Sequence, residues 1–190
     1  MNAGIKKDYA LYSFSMRWIR LLSAFTRAGF RTRLRINDQS IIGFHVWITD
    51  VDVSIMNHAA IMTVMEMGRV DFMVRSGFLK LARKKKWYFP SASISVQFLR
   101  PLKAFQKARV HTRIFHVDDR WIYLEQKVER AGKVMAICIV KSTVKKGRDY
   151  VSTKEIIKEL RIGELPFEGK ELVDLFEQEN KIVYQRLVAQ

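Results

Sequence analysis

Residues 43–77, GFHVWITDVDVSIMNHAAIMTVMEMGRVDFMVRSG, contain the change of pattern that decides the fold. β-Branched and aromatic residues dominate Gly43–Thr49, which predicts the first strand. Apolar residues then recur at helical spacing, which predicts a long helix over Asn57–Ser76 with Asn57 as its N-cap. The buried face of this helix is predicted to hold Ile61, Met65, Gly68 and Phe72. Because glycine costs helix stability, we expect Gly68 to permit a close approach to a sheet.

Strand patterns dominate the chain that follows the long helix. A short helix is predicted over Phe78–Trp87, and the dipeptide Ala131-Gly132 is predicted to form a tight hairpin turn. Four strands are predicted, namely Ser91–Arg100, Ala108–Val117, Trp121–Arg130 and Lys133–Lys145. The order of strand, long helix and four strands indicates an α+β domain with an antiparallel sheet.

Further helices are predicted at both ends of the chain. Residues 9–28 form an amphipathic pattern whose apolar stripe includes Leu21, Leu22 and Phe25. Arginines interrupt this stretch, so it does not read as a spanning segment. We expect this helix to dock either on the rest of the protein or in a membrane interface. Residues 151–190 read as two helices, and the second is predicted to have a loose apolar stripe of Leu172, Leu175, Phe176, Val183 and Leu187. The predicted organisation is therefore a basic helix and connection over 1–36, a main domain over 37–150 and a helical extension over 151–190.

Composition limits the classes of protein and partner. The chain has 190 residues, of which 48% are hydrophobic, enough for one substantial core. Its formal net charge of +15 favours an anionic partner, either nucleic acid, anionic lipid or a phosphate-bearing ligand such as coenzyme A. No nucleic-acid-binding motif is present, so we expect no nucleic-acid partner. The single cysteine, Cys138, lies in an apolar run and is predicted to be a small buried side chain.

Three short motifs resemble one known family. They are Val46–Asp52 followed by Met56-Asn57, then Met67–Asp71, then Phe98–Leu102. Together they resemble the hotdog superfamily, in its 4-hydroxybenzoyl-CoA thioesterase-like branch and near the group of thioesterase superfamily member six. The resemblance covers about residues 40–147. It implies a long central helix wrapped by an antiparallel sheet of about five strands, with the terminal helices as additions. It also implies a homodimer or a dimer of dimers with the site at the subunit boundary.

The resemblance implies that Asp52, rather than Asp50, is the catalytic carboxylate. An acid just before a helix N-terminus can attack a thioester carbonyl or activate water. Free backbone amides of the first helical turn can then hold the developing oxyanion, and those of His58, Ala59 and Ala60 are the candidates. The alternative is that both aspartates are turn or capping residues.

Other candidate site residues lie nearby in the sequence. Glu66, in the middle of the long helix, is a second candidate catalytic carboxylate, and its alternative role is an ion pair with Arg69 or a partner chain. His58 could orient the substrate or move a proton. Asn57 and Arg100 are candidate substrate-binding residues, Arg100 through a coenzyme A phosphate. No metal-ligand spacing is found, so no metal or cofactor is predicted beyond coenzyme A as part of the substrate.

These observations predict an acyl-CoA thioesterase that hydrolyses a fatty or aromatic acyl thioester of coenzyme A or of an acyl carrier protein. The pattern departs from the family where a histidine before Met56 is missing, where His58 replaces an asparagine and where Ile61 replaces an aromatic residue. The alternative is therefore a non-catalytic acyl-binding or membrane-associated hotdog protein. We expect a cytoplasmic protein, with peripheral membrane contact through residues 9–28 as the further expectation.

Overall fold

A computed structural model describes residues 16–160 and 168–188 of the chain. The helices are α1 (Met16–Gly29), α2 (His58–Arg75), α3 (Phe78–Lys85), α4 (Thr153–Leu160) and α5 (Lys170–Leu187). The longer strands are β1 (Ser40–His45), β4 (Ser91–Phe98), β5 (Lys107–Val117), β6 (Trp121–Arg130) and β7 (Lys133–Thr143). Two-residue strands form two small hairpins, β2 (Val51–Asp52) with β3 (Ile55–Met56) and β8 (Lys145–Lys146) with β9 (Asp149–Tyr150).

The main sheet has five antiparallel strands in the order β1-β5-β6-β7-β4, and α2 lies against one face of it. This arrangement confirms the predicted hotdog architecture. The predicted hairpin turn is also confirmed, because Ala131 and Gly132 both adopt positive φ values, 49° and 74°, as a tight type I′ turn requires.

The first strand differs from its prediction. It begins at Ser40 and ends at His45, and Ile48–Asp50 forms a single 3-10 turn. The Asp50 carboxylate accepts a hydrogen bond from the Trp47 backbone N–H at 2.9 Å, and the Asp50 N–H donates to the Trp47 carbonyl at 2.9 Å. These two bonds close the turn, so the β-branched residues after Val46 leave the sheet and lead the chain towards α2.

Helix α2 supplies the centre of the core. Its predicted N-cap is confirmed, because the Asn57 side chain accepts a hydrogen bond from the Ala60 N–H at 2.7 Å. Ile61, Met65, Gly68 and Phe72 are buried as predicted. The helix carbonyl of Met65 accepts a hydrogen bond from the Gln126 side chain of β6, which is itself fully buried. A polar bond therefore fixes the helix over the middle of the sheet.

Gly68 lies where α2 approaches the sheet most closely. A Cβ atom there would meet the Thr112 hydroxyl at 2.7 Å and a Val110 methyl at 3.0 Å. We expect Gly68→Ala to destabilise the protein by about 1–3 kcal/mol, because the helix must move off a packed sheet. Urea unfolding would measure this loss, with Gly29→Ala as the control, since nothing lies within 4 Å of a Cβ at Gly29. Equal stability of both variants would contradict the close approach.

The N-terminal helix docks on the rest of the chain. Of the predicted helix over 9–28, residues 9–15 lie outside the described part, and α1 ends at Gly29. Ala24 and Ala28 are buried, whereas Leu22 is 67% exposed. The helix therefore docks through alanines and leaves much of the predicted apolar stripe facing outwards. None of the helices in the described ranges has the length and apolarity needed to cross a bilayer.

The two predicted C-terminal helices are confirmed as α4 and α5. Helix α5 lies on the face of the sheet opposite α2. There Val173 and Phe176 pack against Phe115 and Tyr123.

Candidate active site

An open cleft of about 640 Å³ lies at the N-terminal end of α2. Its walls come from α2, α1, the 3-10 turn and β4. The lining residues are Arg20, Thr49, Asp50, Asn57, Ala59, Ala60, Met62, Thr63, Glu66, Arg69, Ser91 and Ile94. Four of the predicted site residues, Asn57, Ala59, Ala60 and Glu66, therefore line one cavity.

The first turn of α2 presents backbone donors to this cleft. The Ala60 N–H already donates to the Asn57 side chain, so it is engaged in capping. The N–H groups of His58 and Ala59 have no acceptor among the described residues. Amides of this kind, at the positive end of a helix, can stabilise negative charge on a substrate oxygen. Two of the three predicted oxyanion donors are thus available, of which Ala59 lines the cleft and His58 is its neighbour in the chain.

Asp50 lies on the cleft wall but is neutralised by α1. Its two carboxylate oxygens accept hydrogen bonds from Arg20 at 2.5 and 2.9 Å, and the Asp50 side chain is only 6% exposed. Its backbone carbonyl also accepts a hydrogen bond from the Asn57 N–H at 2.8 Å. These bonds give Asp50 a structural role, holding α1, the 3-10 turn and the start of α2 together.

Asp52 is exposed and stands one side chain away from the cleft. It belongs to the β2–β3 hairpin and is not among the lining residues. Its carboxylate lies 3.4 Å from the Asn57 side-chain nitrogen, and Asn57 does line the cleft. Among the side chains that the structure describes, no cation forms an ion pair with Asp52. Asp52 therefore differs from Asp50 in being available to solvent beside the N-terminus of α2.

Glu66 and Arg69 lie together on the α2 wall. Arg69 donates a hydrogen bond to the Gln126 side chain at 2.6 Å. Burial lowers the pKa of the Arg69 guanidinium, while the neighbouring Cys138 and Glu66 act in the opposite direction. The predicted proximity of Glu66 and Arg69 is consistent with this electrostatic interaction. The cleft thus has a carboxylate about two helical turns, and a guanidinium nearly three turns, from its donor amides.

His58 and Arg100 point elsewhere. The His58 ring packs edge-on against Phe98, with 4.4 Å between ring centroids. Arg100 donates to the Val134 carbonyl at 2.7 Å. Neither residue lines the cleft. The Arg-Pro-Leu segment has a structural function, because the carbonyl of Leu102 accepts a hydrogen bond from the Met56 N–H and so anchors β3.

Cys138 lies on β7 and is buried in the main core, 1% exposed, as predicted. Burial raises the pKa of its thiol to about 11. A thiol of this kind is uncharged at neutral pH and is a poor nucleophile.

Sequence reasoning missed Arg20, and it named Arg69 only as an ion-pair partner of Glu66 and not as a residue of the cleft. Arg20 is 30 residues from Asp50, and no local pattern specifies such a pairing. Arg69 could have been found, because it follows Gly68 on the flank of the predicted buried face and lies three residues after Glu66.

Comparisons with known proteins give a consistent result. The family model of the thioesterase-like superfamily matches residues 46–152. A probable thioesterase of Saccharomyces cerevisiae is 29% identical over 82 residues, which is 42% of this chain and 36% of the yeast protein. The protein THEM6 of Drosophila melanogaster is 24% identical over 128 residues, 65% of this chain and 66% of the fly protein. The chain therefore spans less than two thirds of either relative.

A solved structure shares the fold. A thioesterase of Thermus thermophilus, crystallised in complex with coenzyme A and zinc, superposes with a TM-score of 0.55 at 21% identity. The match covers 63% of this chain and 89% of the Thermus chain.

Proposed function

The chain belongs to the thioesterase-like superfamily, and on that premise we propose that it hydrolyses acyl-CoA thioesters in the cleft at the N-terminus of α2. One observation carries the proposal. The open amides of His58 and Ala59 lie at the N-terminus of α2 beside Asp52, and Glu66 lines the same cleft about two helical turns further along α2. Thioester hydrolysis needs this combination of an oxyanion site and a base.

The reaction follows from that arrangement. The Asp52 carboxylate takes a proton from water as the water oxygen bonds to the thioester carbonyl carbon. The carbonyl oxygen becomes negative and is held by the amides of His58 and Ala59. Collapse of this intermediate breaks the carbon–sulfur bond, and the departing thiolate receives the proton from Asp52. Glu66 is the competing candidate for the same role because it lines the cleft directly.

The residues that line the cleft and the membership of the thioesterase-like superfamily indicate the class of substrate. Met62 and Ile94 offer apolar surface for a fatty or aromatic acyl group, and Arg69 offers positive charge. The binding of coenzyme A by the Thermus thioesterase supports a coenzyme A thioester over other carriers. Acyl carrier protein thioesters are the second substrate class.

The proposal is tested by incubating the purified full-length chain with a panel of fatty and aromatic acyl-CoAs and detecting the released thiol. We expect release from at least one member of the panel. Release from none, together with calorimetric binding of an acyl-CoA, would establish the non-catalytic acyl-binding alternative. Release only from an acyl carrier protein would reassign the carrier.

We also propose that the chain is a homodimer joined through β4. In the described ranges β4 pairs with β7 on one side and with no strand on the other. Ser91 and Ile94 of β4 line the cleft. A second copy along this edge would therefore border the cleft and could complete it.

A second candidate property, peripheral membrane contact by a cytoplasmic protein, is favoured by the outward face of α1. Ile19, Leu22 and Phe25 lie on it, and Phe30 beyond the helix end is 94% exposed. Arg27 is exposed nearby, and the Arg83 guanidinium lies 5.8 Å from the centre of the Phe25 ring. Apolar side chains flanked by arginines suit the interface of an anionic bilayer.

We expect the full chain to co-sediment with phosphatidylserine-containing vesicles at low salt and to be released as salt is raised. Leu22→Ser combined with Phe25→Ser should reduce binding at least tenfold, because both apolar contacts are lost. Leu175→Ser, at a 64% exposed position on α5, is the matched control and should bind normally. Equal binding by all three proteins would contradict the assignment of this face.

A further inference from the structure

Helix α5 crosses several strands on the outer face of the sheet. Tyr123, Lys141 and Ser93 pair in one row across β6, β7 and β4. Glu177 bonds to both Tyr123 and Lys141, at 3.2 and 2.5 Å. One turn later, Asn180 accepts a hydrogen bond from Ser93 at 2.7 Å. The helix therefore reaches the edge strand β4 at Asn180.

The helix continues past that edge. The segment 181–187, which we call the arm, adds seven residues, or about 10 Å at 1.5 Å per residue. Neighbouring strands lie about 4.8 Å apart. The arm is thus long enough to cover about two further strands, and the described chain provides none beyond β4.

The arm keeps the face that α5 uses on its own sheet. Val173 and Phe176 are 6% and 5% exposed. Val183 and Leu187 continue the same stripe at helical spacing, yet they are 49% and 74% exposed. This face of α5 is therefore buried only as far as the edge of the sheet, although its apolar residues continue beyond that edge.

We propose that the arm of each chain lies on the outer sheet face of a second copy, in a homodimer whose β4 strands pair antiparallel. This inference rests on the homodimer proposed above. A second copy is the occupant because the unpaired β4 edge lies directly beside the arm. Pairing along it continues the surface on which α5 already lies. A two-fold axis relates the two copies of such a pair, so each arm makes the same contact with the opposite copy.

The chain also has a surface that can receive the arm of the second copy. Ile137 of β7 pairs with Gln97 of β4 and is 37% exposed. Ile139, two residues on, lies on the same face, where it packs beside the α5 cluster. In the paired copy Ile137, beyond the part of β7 that its own α5 covers, lies one strand past the joined edge and within reach of the arm.

The oligomeric state tests the proposal. We expect wild type to sediment as a dimer at micromolar concentration, and Leu187→Glu to weaken the dimer about 100-fold, because a charge would be placed in an apolar contact. Leu175→Glu, on the same helix above its own sheet, should leave the dimer unchanged. A monomeric wild type, or equal weakening by both variants, would overturn the proposal.

A cross-linking measurement guards against a misfolded variant. Two differently tagged full-length chains, Leu187→Cys and Ile137→Cys, are mixed and oxidised. We expect a mixed disulfide, since residue 187 of one chain meets residue 137 of the other. A dimer without that cross-link would overturn the arm contact, whether or not the protein hydrolyses acyl-CoA. Formation of the cross-link, together with no hydrolysis by the wild-type chain, would instead refute the proposed activity and leave the arm contact standing.

Discussion

Asp52→Asn is expected to lower kcat for the best acyl-CoA substrate by about 10²–10⁴-fold, the usual contribution of a general base. Asparagine retains the size of the side chain and can still contact Asn57, but it cannot accept the proton from water. Because Asp52 is exposed and lies outside every described ion pair, the melting temperature should stay close to that of wild type. Thiol release under saturating substrate measures the first effect and calorimetry the second.

Two matched variants decide which carboxylate acts. Glu66→Gln removes the other candidate, and we expect it to retain most of its activity. Asp50→Asn should instead destabilise the protein, because Arg20 would lose its buried partner. If Glu66→Gln abolishes thiol release while Asp52→Asn keeps it, the catalytic role belongs to Glu66.

The largest expected effect on stability comes from Asp71. This residue is 2% exposed and accepts hydrogen bonds from Arg31, Arg75 and Ser40 at 2.9, 3.1 and 2.5 Å. It thereby joins the segment after α1 to α2 and β1. Asp71→Asn should lower the free energy of unfolding by about 3–5 kcal/mol, because the Arg75 charge stays buried without its counter-ion.

Urea unfolding of the full chain measures this loss. Asp119→Asn is the control, since Asp119 is exposed and, among the residues that the structure describes, only its backbone carbonyl accepts a hydrogen bond, from Thr153. We expect the control to change stability by less than about 0.5 kcal/mol. A loss below about 1 kcal/mol for Asp71→Asn would mean that the network contributes little.

The elements could be predicted from sequence because they depend on local patterns. The spacing of Ile61, Met65 and Phe72 specified the buried face of α2, and Asn57 its start. The dipeptide Ala131-Gly132 specified its turn through backbone conformation alone. The choice of Asp52 came from the family resemblance and stays a prediction.

Contacts between different elements determined the features that local sequence patterns could not predict. The 3-10 turn replaced the end of the first strand because the Asp50 side chain closes it. On α5 the apolar residues form two stripes. Of the predicted stripe, Phe176 meets the sheet together with Val173, whereas Leu172 and Leu175 are exposed. Periodicity alone cannot rank two stripes on one helix, since the sheet surface chooses between them.

The contact of α2 with the sheet also constrains how this protein can diverge. The Gln126 amide nitrogen bonds to both the Met65 carbonyl and the Thr112 hydroxyl, and the absence of a side chain at Gly68 leaves room for it. A descendant that gains a side chain at position 68 must shrink position 112 or 126 and thereby give up a buried bond. Substitutions at these three positions are therefore coupled, and we expect position 68 to remain glycine while position 126 remains glutamine.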